Sequence, residues 1–161
     1  MPDIYLDDLK QGQVFALGQY KVTHDEITDF ARQWDPQPFH IDDNAAKGTI
    51  FGQVIASGWH TACIFMRLFA NGLLNRAAAS GSPGLDELRW QKPVFPDDTL
   101  EASAEILEVK PSRSKPDRGA VRIRCSVSNQ DDDEVLSMTA IVLFHRRPSA
   151  YPIESADDDR A

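Results

Sequence analysis

The sequence predicts an α+β fold in which a largely antiparallel sheet wraps around one long central helix. Three observations carry this. The stretch from Ser57-Gly58 to about Leu74 is apolar on nearly all sides, so as a helix it must be buried on most of them. At about 17 residues it would run roughly 25 Å, a length that a curved sheet can enclose. Four strand-like stretches then follow with only turns between them. A doubly wound parallel sheet would need helices between those strands, and the chain offers none there.

The elements read in order as follows. Residues 13–22 form a first strand on their partial alternation and β-favouring residues. Thr23 with Glu26 three positions on makes a capping box, which starts a helix. Ile27, Phe30, Ala31 and Trp34 fall on one apolar face of it. Pro36 excludes Asp35 from the helical region, so the helix stops near Trp34. Residues 35–41 hold two prolines and should be extended or turned. Asp42 or Asp43 can cap a short helix through Ala45 and Ala46 that ends near Gly48. The later strands are expected near 85–92, 99–109, 119–128 and 134–145. Val121, Ile123, Cys125 and Val127 alternate with Arg122, Arg124, Ser126 and Ser128, so one face of that strand is buried. Turns are marked by residues 96–98, 111–119 and 129–133. One domain is expected over residues 1–147, with a disordered acidic tail over 148–161.

Composition limits the function classes. The chain has 161 residues and a formal net charge of −8, which disfavours a broad nucleic-acid surface. The length is enough to bury a core without metal or disulfide staples. Cys63 and Cys125 have no zinc-like spacing and read as two reduced core thiols. The N-terminal segment lacks a basic region followed by an apolar one, and no run of about 18 apolar residues occurs. The expectation is a cytoplasmic protein with no membrane span.

Two features carry chemistry. Asp35 ends a helix, where the dipole is unfavourable for a carboxylate. His40, five residues on, titrates near neutrality. On spacing alone the favoured reading is a helix-end Asp and a loop His, both solvated, and the two converge only if Pro38 turns the chain. The second feature is Ser57-Gly58 at the head of the buried helix. The free N–H groups there form an oxyanion site if substrate reaches them, and otherwise Ser57 is an N-cap and Gly58 a packing residue.

Together these segments resemble the MaoC-like family, which includes the (R)-specific enoyl-CoA hydratases. The first motif reads Asp35-Pro36-Gln37-Pro38-Phe39-His40, followed by Asp42 and Ala45-Ala46. The second is Ser57-Gly58. The third runs from Leu85 through Trp90, Pro93-Val94 and Pro96-Asp97-Asp98-Thr99-Leu100, with Asp97 where the family has glycine. Trp34, Gln37 and Ser57 stand where a glycine, an asparagine and a histidine are common.

The resemblance covers roughly residues 8–146 and implies a hot-dog fold. It implies reversible hydration of a trans-2-enoyl thioester to an (R)-3-hydroxyacyl thioester, with Asp35 and His40 as the catalytic pair and Gly58, with Ser57, at the thioester oxygen. It implies no metal and no cofactor beyond the CoA or acyl-carrier thioester that is the substrate, and a homodimer or higher homo-oligomer. Arg89, Lys92, Arg113, Lys115 and Arg118 are unassigned candidates for the CoA phosphates. Trp90, Phe39 and Trp59 fit an acyl tunnel and ordinary core packing equally. The rival readings are a hot-dog acyl-CoA thioesterase and a non-catalytic acyl-thioester binding subunit. The thioesterase needs a carboxylate or other base, often on the central helix, and no acid lies between Gly58 and Leu74.

Overall fold

A computed structural model describes residues 1–148. Apart from Pro148, the tail expected over 148–161 lies outside the described residues. The elements are β1 (Val14–Lys21), α1 (His24–Trp34), α2 (Pro38–Ile41), α3 (Asp43–Lys47), α4 (Gly58–Gly72), β2 (Gly84–Trp90), β3 (Thr99–Pro111), β4 (Arg118–Ser128) and β5 (Glu134–His145). The five strands form one sheet in the order β1-β3-β4-β5-β2, and every neighbouring pair is antiparallel. The sheet curves around α4, as the order of elements predicts.

Alternation explains the sheet's inner face. Val121, Ile123, Cys125 and Val127 of β4 are fully buried, as are Leu100, Ala104 and Ile106 of β3. From α4, Ile64, Phe65, Leu68 and Phe69 close the core against them. Each such side chain contributes about 1.5–3 kcal/mol by leaving water. A bulge in β1 at Gly18, where φ is 104°, bends the strand over α4. Burial pushes the Cys125 thiol up to about 12, which makes it an inert core group.

Four expectations need correction. The central helix ends at Gly72, and a 3₁₀ turn, Leu74–Arg76, follows it. It is also less enclosed than its composition predicts: Trp59, Cys63 and Met66 are exposed on one flank. Cys63 is therefore not a core thiol. Trp34 is 74% exposed, although Ile27 and Ala31 of the same face are buried.

The capping box forms as read. The Thr23 hydroxyl accepts from the Glu26 N–H, and the Glu26 carboxylate accepts from the Thr23 N–H. The other Glu26 oxygen faces His60 Nε2 of α4 at 3.4 Å, and Phe30 stacks on that imidazole at 4.7 Å. Burial holds the His60 pKa down, against the opposing pull of Glu26. These contacts dock α1 on the first turn of α4 and so set the distance between Asp35 and Ser57.

The turn before β3 explains the departure at Asp97. Its φ is 71°, the left-handed region that glycine adopts without cost. Asp is among the few other residues tolerated there. The turn is held by Asp97 N–H to the Val22 carbonyl, and by the Asp98 carboxylate, which accepts from the Phe95 N–H.

Candidate active site

Pro36 and Pro38 decide the local path. Asp35 leaves α1 with φ −148° and ψ 70°, while its N–H still bonds the Ala31 carbonyl at 3.0 Å. The chain does not stay extended through residues 38–41. Pro38 occupies the first turn of α2, where its missing N–H costs nothing. That single turn swings His40 back toward Asp35 and buries it to 4% exposure. His40 Nε2 lies 3.4 Å from Asp35 Oδ2.

Residues 54–57 form the opposite wall. Val54, Ile55, Ala56 and Ser57 are all buried, and the stretch is pinned from both sides. His40 Nδ1 lies 2.7 Å from the Ile55 carbonyl oxygen, which can only accept, so Nδ1 carries a proton. The next residue, Ala56, donates its N–H to the Val94 carbonyl at 2.9 Å. The Pro93-Val94 segment thus fixes the chain just before α4.

Ser57 then caps α4. Its hydroxyl accepts from the Trp59 N–H and donates to Asp35 Oδ2 at 2.6 Å. Gln37 donates to the other Asp35 oxygen at 2.8 Å. The Ser57 hydroxyl is the main reason the Asp35 pKa lies below the ordinary carboxylate range. Desolvation opposes this, and Gln37 and His40 add to the lowering. Asp35 is ionised at neutral pH. Because its folded-state pKa is depressed, its contribution to stability is present above the unfolded value and is lost as pH falls through the folded one.

His40 and Gly58 share a cavity of about 300 Å³ with Thr61, Trp90, Lys92 and Val94. Asp35 is not among its walls, and it meets the cavity through His40 and Ser57. Among the described residues no group accepts from the Gly58 N–H, so that donor stands free at the positive end of α4. A side chain at position 58 would collide with Trp90, since a Cβ there would sit 2.6 Å from the indole.

The structure therefore brings together Asp35, His40, Ser57 and Gly58. It does not gather the basic residues: Lys92 alone lines this cavity, and it pairs with Asp133 at 2.7 Å. Phe39 packs on the His40 ring at 4.3 Å and does not line the cavity. The Ile55 carbonyl and the Trp90 cover over Gly58 were not foreseen. The first is a backbone role that no residue type signals. The second depends on strand β2 reaching α4, which only the tertiary fold decides.

Replacing Ser57 by Ala removes the principal cause of the lowered Asp35 pKa. The expected result is an acid limb of kcat/KM displaced to higher pH, with the alkaline side unmoved. A pH–rate profile checks this, and an acid limb in its original place would contradict it. The lost cap should also cost about 1 kcal/mol of stability.

Among the described residues no helix is long and apolar enough to cross a membrane. Comparisons with known proteins agree with the geometry. The profile of the family described as "MaoC like domain" matches residues 10–129. The chain is 40% identical to a MaoC-like dehydratase from Rhodospirillum rubrum of solved structure, with a TM-score of 0.84, covering 91% of this chain and 99% of that one. It is 33% identical to the uncharacterized protein YdeM of Bacillus subtilis, over 88% of this chain and 99% of the relative. It is 28% identical to a 3-hydroxybutyryl-CoA dehydratase of Methylorubrum extorquens, over 93% and 90% of the two chains. Three-quarters of the sequence, the hot-dog arrangement of sheet and helix, and the segments that build the cavity all lead to one assignment: the chain belongs to the MaoC-like domain family.

Proposed function

We propose that this protein catalyses the reversible hydration of a trans-2-enoyl thioester to the (R)-3-hydroxyacyl thioester. The observation that carries the reading is the contact of Asp35 with His40 at 3.4 Å, where His40 and Gly58, whose N–H is free, line one cavity. The similarity to a 3-hydroxybutyryl-CoA dehydratase supports it.

The chemistry follows from the hydrogen bonds. The thioester oxygen binds the Gly58 N–H, where the helix end stabilises enolate charge as it develops. One such donor is typically worth about 3–4 kcal/mol. A water held between Asp35 and His40 Nε2 adds to the β-carbon, and its proton passes to the Asp35 carboxylate. A carboxylate of low pKa is a weak base toward free water. It accepts the proton because the water becomes acidic as its C–O bond forms. His40, entering as the imidazolium, delivers the Nε2 proton to the α-carbon. Transfer from Asp35 back to His40, across their contact, resets the pair. Ser57 holds the carboxylate in place, and its hydroxyl proton is committed to that bond. No metal or further cofactor is required, because a thioester is already an activated electrophile.

The carrier is CoA or an acyl-carrier protein. The active unit is a homodimer: β2 lies at an edge of the sheet, and the large exposed apolar side chains Leu85, Trp90, Trp59 and Met66 lie on β2 and the adjoining flank of α4. Sedimentation should return twice the 18.0 kDa chain mass, and an 18.0 kDa species at micromolar concentration would refute the dimer. The reaction itself is tested by offering short, long, branched and dicarboxylic trans-2-enoyl-CoAs and following loss of the enoyl absorbance. Hydration of at least one with an (R)-3-hydroxyacyl product is expected. Release of free thiol without hydration would favour a thioesterase, and tight binding without turnover a carrier.

A further inference from the structure

His60 is a buried titratable group that the hydration chemistry does not use. It sits on the first turn of α4, is 6% exposed, and does not line the cavity. Its Nδ1 is the one buried side-chain polar atom among the described residues with no hydrogen-bond partner. Nε2 faces Glu26 Oε1 at 3.4 Å, so the proton of the neutral ring belongs on Nε2, and Nδ1 is left as a bare acceptor. Protonation would leave a buried N–H unpaired instead, in keeping with the lowered pKa that burial gives the ring. A phenylalanine would stack on Phe30 as well and leave nothing unpaired. What requires an imidazole here is the contact at Nε2.

Glu26 is itself a fixed anchor. Its Oε2 accepts from the Thr23 N–H at 3.1 Å and from the Thr23 hydroxyl at 3.0 Å. Tyr20 of β1 stands beside the same carboxylate, and the Arg67 guanidinium lies 5.5 Å over the Tyr20 ring. Glu26 precedes Asp35 by about 14 Å along α1. The helix is therefore tied to the head of α4 at both ends, by Glu26 to His60 and by Asp35 to the Ser57 hydroxyl at 2.6 Å. Between these ties Ile27 and Ala31 are fully buried. Their apolar contact is non-directional, so it sets the depth of the helix and not its register. We propose that His60 is a positioning residue for the reaction: through Glu26 it fixes the register of α1 on α4 and so holds Asp35 on the Ser57 hydroxyl. This rests on the hydratase reading of the site. A shift of about 1 Å at a reacting group can cost about 10²-fold in rate, so a tie remote from the water governs turnover.

The test takes pH–rate profiles of crotonyl-CoA hydration, below the melting transition, for the wild type, His60→Phe, His60→Gln, Ser57→Ala, and Ser57→Ala with His60→Phe. His60→Phe keeps the stack on Phe30 and loses Nε2. Its kcat should fall by about ten- to a hundredfold with KM little changed. Its acid limb should move to higher pH, because the Ser57 hydroxyl is what chiefly lowers Asp35. His60→Gln carries an amide N–H toward Glu26 and should recover most of both losses. Once Ser57 is alanine, His60→Phe should move the acid limb no further. A lower melting temperature with rate and acid limb unmoved would make His60 a residue of the fold alone and overturn the proposal. So would a glutamine variant no better than phenylalanine, or a further shift in the Ser57→Ala background. If His60→Phe does not fold, Glu26→Gln decides in its place. It keeps an oxygen for the Thr23 N–H and removes the carboxylate opposite Nε2, and an acid limb that stays put in it overturns the proposal. If the wild type hydrates no enoyl-CoA, the hydratase reading has failed. Carbon-13 NMR titration of the Asp35 carboxyl in the same variants then decides whether His60 holds it: a pKa raised by phenylalanine and restored by glutamine is expected, and an unmoved one refutes the tie.

Discussion

Asp35→Asn is expected to lower crotonyl-CoA hydration by about 10²–10⁴-fold while the fold stays intact. The amide keeps the shape of the carboxylate, and the Ser57 hydroxyl can still donate to its oxygen. What is lost is the acceptor for the water proton and the negative charge beside His40 Nε2, 3.4 Å away. The change should fall on kcat more than on KM, because the interaction is made as the water reacts. Steady-state kinetics on the variant, with an unchanged circular dichroism spectrum, checks this. Turnover near the wild-type rate would remove Asp35 from the mechanism.

His40→Ala is expected to cost a similar about 10²–10⁴-fold, with a stability loss as well. His40 is 4% exposed and its Nδ1–H satisfies the Ile55 carbonyl. Truncation leaves that carbonyl without its partner, at about 1–3 kcal/mol. Rates should therefore be measured well below the melting transition. His40→Gln, which can keep a donor toward Ile55, separates the two effects: stability should recover in it and activity should not. Recovery of both would mean that His40 serves only the fold.

Much of this site was legible because its parts are local. The capping box at Thr23 and Glu26 starts α1, and Pro36 ends it at Asp35, so one end of the pair could be placed from sequence. The apolar face of β4 was legible from strict alternation. The convergence of Asp35 with His40 was not, because it depends on a single helical turn that Pro38 permits but does not compel. Exposure on α4 was misjudged for a related reason. A helix that is apolar all round announces that it needs burial, and not whether its own chain supplies it. Trp59, Cys63 and Met66 stay open in one chain. The Trp90 contact with Gly58 spans 32 residues, and nothing near either residue predicts it.

Those roles make one claim that kinetics can isolate: Asp35 and His40 act on the same water. Crotonyl-CoA hydration should be measured for Asp35→Asn, His40→Ala and the double variant. Groups that act as a unit are strongly non-additive. The double variant is expected to be no more than a few-fold slower than the slower single variant. Losses that multiply in the double variant, so that each residue contributes independently, would contradict it.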